Sequence, residues 1–506
     1  MKKKILLTIF LFLVLLTILS FRVLAFFKPF LPHLNFLLGS NKPTTYLILL
    51  GNDTEARANG GFAGSYAKIT TNNPKLTSLR DSYPNQKPCL PAGRNPSPLD
   101  RHAPLVMTVP ALSVSFHDIY VPNGQLEGYV KPPDAIQQAF GHGTWELANA
   151  DYEPHFPTAA SSIRWFLEKG KETNPDILGI INLSTIKKVF NIVGEIKLDD
   201  DTTITPDNLY LYLQGKAELN FFPGSTQKAD ALHEVGNATL NKLKSLPLTK
   251  KIKIAKEIYK DLQNQNIVLN STNLNFQKFL ESKKWAGEYI PPIEGDFFGL
   301  VELNLGANKA NQYVTRQTTH VIASSPSSSL REGTPTWQSI QINHQITVDF
   351  QNTSPEANPN PPLYYGGNYI SFLRFYLPVN ATDIEINHTE IATSSAGFSA
   401  DVLNNQLPVI ASDSAAIHTN ENKKFTTISF WHLTLAGQHS DIKLSYSLSS
   451  ERPCHSRESG NPSDINLCPY SLTLLKQNGF QSSPQSLNIF GKTSQTSLDT
   501  PFTYPK

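Results

Sequence analysis

Seventeen uncharged residues, Ile5 to Phe21, lie between Lys2-Lys3-Lys4 and the first arginine, Arg22, and fourteen of them are Leu, Ile, Val or Phe. That content favours the bilayer by about 4–8 kcal/mol, and a helix of this length reaches about 25 Å, just enough to span. With the lysines ahead of it and no comparable cluster straight after, the N-terminus faces the cytoplasm and the bulk of the chain lies outside. A cleaved secretory signal reads from the same residues, because Val23-Leu24-Ala25 has the small-residue character of a cleavage site. A retained, single-pass anchor is the expectation, since Arg22 would sit just before that cut and apolar character resumes at Phe26, Phe27, Phe30 and Leu31. Both readings export the chain.

Of 506 residues, those after the leader are too many for one ordinary core, and two or three domains are expected. A net charge of +2 with 17% charged residues argues against nucleic acid as a partner. Of the three cysteines, Cys454 and Cys468 could close a disulfide in an oxidising compartment, Cys89 would remain single, and the spacing fits no zinc site. Residues 86–98 and 452–463 are rich in Pro, Gly and Arg without apolar periodicity and read as exposed insertions.

After a Pro-punctuated tether (28–43), Tyr46-Leu-Ile-Leu-Leu50 reads as a buried strand and Ser65–Thr70 as its neighbour, with a third strand ending near Leu79-Arg80. Residues 84–132 read as long loop. Helices are expected over Pro157–Lys169 and after Ser184, the latter stopped by Gly194, with a buried strand at Ile177–Leu183 between them. Strands alternating with helices indicate an α/β sandwich, followed by a helical insertion over Leu248–Lys284 and a returning strand at Phe297–Asn304. Beyond the Ser-rich stretch 324–329 only strand patterns follow, spaced as in a β-sandwich of Ig-like size. The expected domains are therefore residues 1–43 (lysines, transmembrane helix and tether), 44–323 (α/β) and 330–506 (all-β, with a low-complexity insertion near 452–466).

The densest polar stretch, Asn52-Asp-Thr-Glu-Ala-Arg-Ala-Asn-Gly-Gly-Phe-Ala-Gly-Ser65, follows a buried strand. Gly60, Gly61 and Gly64 would let backbone N–H groups approach an anion, Arg57 could grip a phosphate with two bonds, and Asp53 with Glu55 could hold a divalent ion. The same residues also make an ordinary glycine turn in which Glu55 and Arg57 pair locally. Arg80-Asp81 could face the same crevice. A second cluster, Trp145–Pro157, gathers Glu146, Asn149, Asp151, Glu153 and His155, as an acid or metal site or as a capping loop before a helix. No Ser-His-Asp order, zinc spacing or P-loop appears.

Asn52, Glu55, Arg57, Gly60, Gly61, Phe62, Gly64 and Ser65, with Ala148–Ala160, Trp285–Gly287, Asn304–Lys309, Leu373–Pro378 and Lys476-Gln-Asn-Gly479, resemble the signature blocks of the domain of unknown function 4012 family. That resemblance implies a bacterial envelope protein with one N-terminal anchor and no established activity. More distantly, Leu47–Asp53, Arg57, Asn73-Pro74, Ser78–Tyr83 and Asp176–Asn182 are similar in order to the LytR–CpsA–Psr family. The second resemblance implies transfer of glycans from a polyprenyl pyrophosphate to the cell wall. Mg²⁺ would lie near Asp53 and Asp81, and Arg57, Arg80, Gly60 and Gly61 would lie around the pyrophosphate. This chain has Gly64-Ser65 where that family has an Asp, and Lys228 alone where it has an arginine-rich helix. Two functions are therefore expected: non-catalytic envelope assembly or binding, and a phosphotransferase or binder of lipid-linked glycans.

Overall fold

The computed structural model describes residues 28–73, 111–141, 143–219, 226–292, 295–326, 340–355, 360, 366–387, 416–420, 425–450, 470–480 and 482–505. The expected anchor, Arg80, Asp81, the three cysteines and His142 lie outside the described residues. Among the described residues no helix is long and apolar enough to cross a membrane.

The chain divides into two compact units. The smaller comprises Met1–Tyr46, Lys68–Ser115 and Pro175–Ile177. A 3-10 turn, Lys28–His33, leads into the short helix Leu34–Leu37. The end of that helix is satisfied from strand residues: Thr44 Oγ1 donates to Phe36 O, while Tyr46 OH and Thr71 Oγ1 donate to Leu37 O. Asp176 accepts from the backbone and hydroxyl of Thr45 and meets Lys42 at 3.3 Å.

The larger unit, Leu47–Ala67, Phe116–Asn174 and Leu178–Lys506, holds a β-sandwich and most of an α/β layer. The α/β layer is a sheet of order β3-β2-β1-β4-β7, built from β1 (Thr44–Arg57), β2 (Gly60–Asn72), β3 (Ala111–Asp118), β4 (Ile177–Asn182) and β7 (Ile267–Ser271). A two-residue turn, Ala58-Asn59, joins β1 to β2 and makes that pair antiparallel. The helix Phe156–Lys169 lays Ala159, Ala160, Ile163, Phe166 and Leu167 on a core shared with Leu47, Leu49, Leu178 and Ile180, as its 3.6-residue spacing predicts. A second cluster joins the helix Leu183–Val193 to the insertion helices Leu209–Glu218, Gln227–Ser245 and Leu248–Gln263. It also takes in the small ribbon β5 (Ile196–Lys197) and β6 (Thr203–Ile204). Two expectations need correction. Residues 111–118 are a strand rather than loop, carried by a Ser/apolar alternation (Leu112, Val114, Phe116). The helix expected to be capped by Ser184 begins instead after Asn182, whose side chain is engaged elsewhere.

The sandwich has two six-stranded sheets. One has the order β12 (Ala381–Asn387), β15 (His439–Ser450), β10 (Ile340–Asn352), β9 (Val314–Pro326), β17 (Pro484–Ile489), β18 (Lys492–Ser497). The other has the order β13 (Ala416–Asn420), β14 (Phe425–Thr434), β11 (Tyr369–Pro378), β8 (Asp296–Asn304), β16 (Leu472–Leu475), β19 (Phe502–Tyr504). Alternate residues such as Val348, Phe350, Phe375, Leu377, Ile428 and Leu444 fill the space between the sheets. Most neighbours are antiparallel, but β16 runs parallel to β8 and β17 parallel to β9. This is larger than an Ig-like sandwich, and it begins at Asp296 rather than at 330: β8 and β9 belong to it, each paired with later strands. The physical reason is that the β8–β11–β14 sheet is covered twice. Val301, Leu303, Ile370, Tyr376 and Leu433 turn away from the sandwich core and pack with Ala58 and with Ala135, Ile136 and Ala139 of the helix Asp134–Phe140. With both faces buried, the run Phe297–Val301 is apolar, so β8 reads like an inner strand of an α/β sheet.

Candidate functional site

The Arg57–Gly61 turn meets the segment Lys476–Gly479, which follows β16. Gly60 has a φ of 137° and Gly479 one of 67°, both glycine-favouring, and a Cβ at either position would strike the Asn182 side chain. Asn182, with no exposed surface, holds the two glycine segments together: its Oδ1 accepts from Gly61 N at 3.0 Å and its Nδ2 donates to Gly479 O at 3.3 Å. Gly479 N donates to Gln265 O. Asn59 donates from Nδ2 to Asp151 Oδ1 (2.6 Å) and to Glu153 O (2.8 Å), and its Oδ1 accepts from Asn478 Nδ2 at 2.8 Å. Burial pushes the Asp151 carboxyl up to about 6 against the pull of its Asn59 bonds and of Arg57 and Arg374.

Arg57 is 2% exposed. Its Nη1 donates to Asn304 O at 2.8 Å and to Ala56 O at 3.0 Å, and its guanidinium lies 5.0 Å above the Phe62 ring. Desolvation lowers its pKa, opposed by Glu55 and Asp151. Glu55 pairs with Lys309 Nζ at 2.8 Å, both buried, rather than with Arg57. Deeper in the sandwich, Arg316 Nε lies 2.8 and 2.7 Å from the two oxygens of Glu302, with Tyr369 OH donating to the same carboxylate at 2.8 Å.

The other residues singled out by sequence fall as follows. Asp53 borders a cleft of about 290 Å³ with Gly60, Ser184, Lys187, Gln312 and Phe480. Its Oδ2 accepts from Ser184 N at 3.3 Å and its carbonyl from Asn311 Nδ2 at 3.0 Å. Asn52 Oδ1 accepts from the backbone and hydroxyl of Thr54. Gly64 O accepts from Lys228 Nζ at 2.6 Å, and that lysine also meets Asp118 at 3.3 Å. Ser65 is buried. The geometry thus brings Gly60 and Asp53 to one cleft, while Arg57 and Glu55 point into the interior. Among the described residues no three His, Cys, Asp or Glu side chains are placed to hold a metal ion together. The second cluster forms the loop ahead of the helix Phe156–Lys169 without a side-chain cap on it: Trp145 Nε1 donates to Asn149 O and His155 Nδ1 accepts from Tyr289 N. Sequence reasoning missed the roles of Asn182, Gln265 and Asn478. A signal for Asn182 existed, a polar residue closing the apolar run Ile177–Ile181.

Residues 41–217 match the model of the family described as "Protein of unknown function (DUF4012)", on the segment that carries the glycine-rich block. No curated protein sequence matches the chain. Among solved structures, B. subtilis TagV is 13% identical and aligns over 51% of this chain and 87% of its own, with a TM-score of 0.24. B. subtilis TagU is 14% identical over 46% and 79%, TM-score 0.24. Lin1025 from Listeria innocua is 12% identical over 52% and 86%, TM-score 0.24. These three are LytR–CpsA–Psr-family proteins.

Proposed function

We propose that this chain is a cell-envelope protein, held at the outer side of the cytoplasmic membrane by its leader, whose α/β layer and sandwich form one non-catalytic body for surface or envelope assembly. The observation that carries this reading is the position of Arg57. A phosphate-gripping arginine needs free donors at the surface, and this one spends Nη1 on two protein carbonyls. The glycine turn beside it is covered by Lys476–Gly479, and its Asn59 and Gly61 N–H groups are taken by Asp151 and Asn182 rather than left for a ligand. The leader is tested by protease accessibility of a C-terminal reporter on intact cells, where protection would rule out export.

A second reading, a phosphotransferase or binder acting on polyprenyl-pyrophosphate-linked glycans with Mg²⁺, is favoured by one observation: the cleft beside Asp53 also receives Lys187 and Gly60. In that reading Asp53 faces the metal and Lys187 the phosphates, with Arg80 and Asp81 joining them. Titrating the full chain in detergent with undecaprenyl pyrophosphate, with and without Mg²⁺, separates the two. The assembly reading expects no saturable binding. Mg²⁺-dependent binding that Asp53→Asn and Lys187→Ala abolish would replace it with the second.

A further inference from the structure

Two lysines are buried among the described residues, and they differ in what they meet. Lys309 faces the carboxylate of Glu55 and is a paired ammonium. Lys476, 3% exposed, faces only neutral oxygens: its Nζ lies 3.2 Å from Asn266 Oδ1 and 3.1 Å from Gln477 O. Burial disfavours the ammonium and outweighs the pull of Asp499 and Asp261, bringing Lys476 down to about 7, so the free amine is within reach at neutral pH. A neutral lysine held against an amide carbonyl is a nucleophile beside an electrophile.

The third component is also in place. Asp261, fully buried in the last turn of the helix Leu248–Gln263, accepts from Asn266 Nδ2 through Oδ1 at 3.1 Å. It is held there by Thr185 Oγ1 on Oδ2 (2.6 Å) and Lys188 Nζ on Oδ1 (2.7 Å). Its carboxylate therefore sits on the nitrogen that would leave.

We propose that Lys476 and Asn266 react to form an intramolecular isopeptide bond, with Asp261 carrying the proton. The Lys476 amine attacks Asn266 Cγ and forms the Nζ–Cγ bond. Asp261 takes one amine proton and returns it to Nδ2, the Cγ–Nδ2 bond breaks, and ammonia departs. One amine and one primary amide become one secondary amide and one NH3, without an oxidant or other reagent. The bond would strap the segment before β7 in the α/β sheet to the segment after β16 in the sandwich, across 210 positions of sequence. It would also remove a buried titratable amine from the interior.

Peptide mapping of the purified full chain tests this. Trypsin should fail to cut after Lys476 and should release a branched peptide joining residues 261–278 to 458–492, lighter than the sum of its parts by one ammonia. Lys476→Arg and Asp261→Asn should each yield the linear peptides, in protein whose circular dichroism matches the wild type. Linear 261–278 and cleavage after Lys476 in folded wild-type protein would overturn the proposal, and that measurement stands even if both variants misfold. A branched peptide persisting in Asp261→Asn would remove Asp261 from the chemistry.

Discussion

Gln477 pairs with Glu302 as a strand residue would: its Oε1 accepts the Glu302 N–H at 2.8 Å, and its Nε2 donates to the Glu302 carbonyl at 2.9 Å. The same Nε2 donates to Arg57 O at 2.9 Å. A side chain thus continues the ladder beyond Leu475, where β16 stops, and carries it across to the glycine turn.

Gln477→Glu keeps this shape but turns a carboxylate oxygen toward two carbonyls. We expect a loss of about 3–5 kcal/mol at alkaline pH. The loss should shrink at acid pH, where the new carboxyl is protonated and can donate. Urea unfolding at both pH values measures it, and an equal loss at the two would contradict the assigned geometry.

The buried Lys309–Glu55 pair makes a second prediction. Lys309→Met strands the Glu55 carboxylate inside and should cost about 3–5 kcal/mol. Adding Glu55→Gln should recover most of that loss, because the double change removes both charges from the interior. Strictly additive losses would show that the two groups do not interact.

The sandwich core should titrate. Burial pushes the Asp296 carboxyl up to about 7, although the Tyr470 hydroxyl bonded to it pulls the other way. Between about 4 and about 7 the folded chain holds this proton and the unfolded chain has released it, so stability from Asp296 falls as pH rises through that window. His344 and His320, held neutral by burial down to about 3 and about 4, act oppositely. The unfolded chain binds their protons below about 6.5, so their contribution to stability rises with pH up to that value. Asp296→Asn removes the first trend and, because His344 Nε2 lies 3.1 Å from Asp296 Oδ2, changes the surroundings of His344 as well. Relative to wild type its stability should climb by a few kcal/mol, on the order set by the shift, between about pH 4 and about pH 7. A constant difference in denaturant midpoint across that range would exclude Asp296 as the titrating group.

Arg57→Lys retains the charge but not the planar fork that reaches Ala56 O and Asn304 O while covering Phe62. A loss of about 1–3 kcal/mol is expected, measured by the thermal midpoint. If the variant were as stable as wild type and lost ligand binding instead, the structural role of Arg57 would fail.

Local pattern made much of the α/β layer legible. Helix Phe156–Lys169 and strand Ile177–Asn182 appear where periodicity put them, since each buries residues that its own spacing selects. The sandwich boundary was not legible. Phe297–Asn304 is buried on both faces in either assignment, and its neighbour β11 lies some seventy positions later. The candidate site divided in the same way. Asn59, Gly60 and Gly61 announce a tight turn, but the groups that fill it, Asn182, Gln265 and Asn478, are polar residues whose sequence surroundings look the same buried or exposed. Glu55 and Arg57, two apart on one strand, invite a local pair. The fold instead gives each a partner from beyond residue 300.

The parallel pairing of β16 with β8 and of β17 with β9 has a consequence for biogenesis. Both sheets of the sandwich need strands from 472–489 to bridge their order, and the glycine turn made at residues 58–61 is not plugged until 476–479 arrive. A polypeptide emerging in order can therefore settle neither layer fully until that late segment is available. Such a chain keeps the edges of both sheets open for most of its synthesis and locks only near completion.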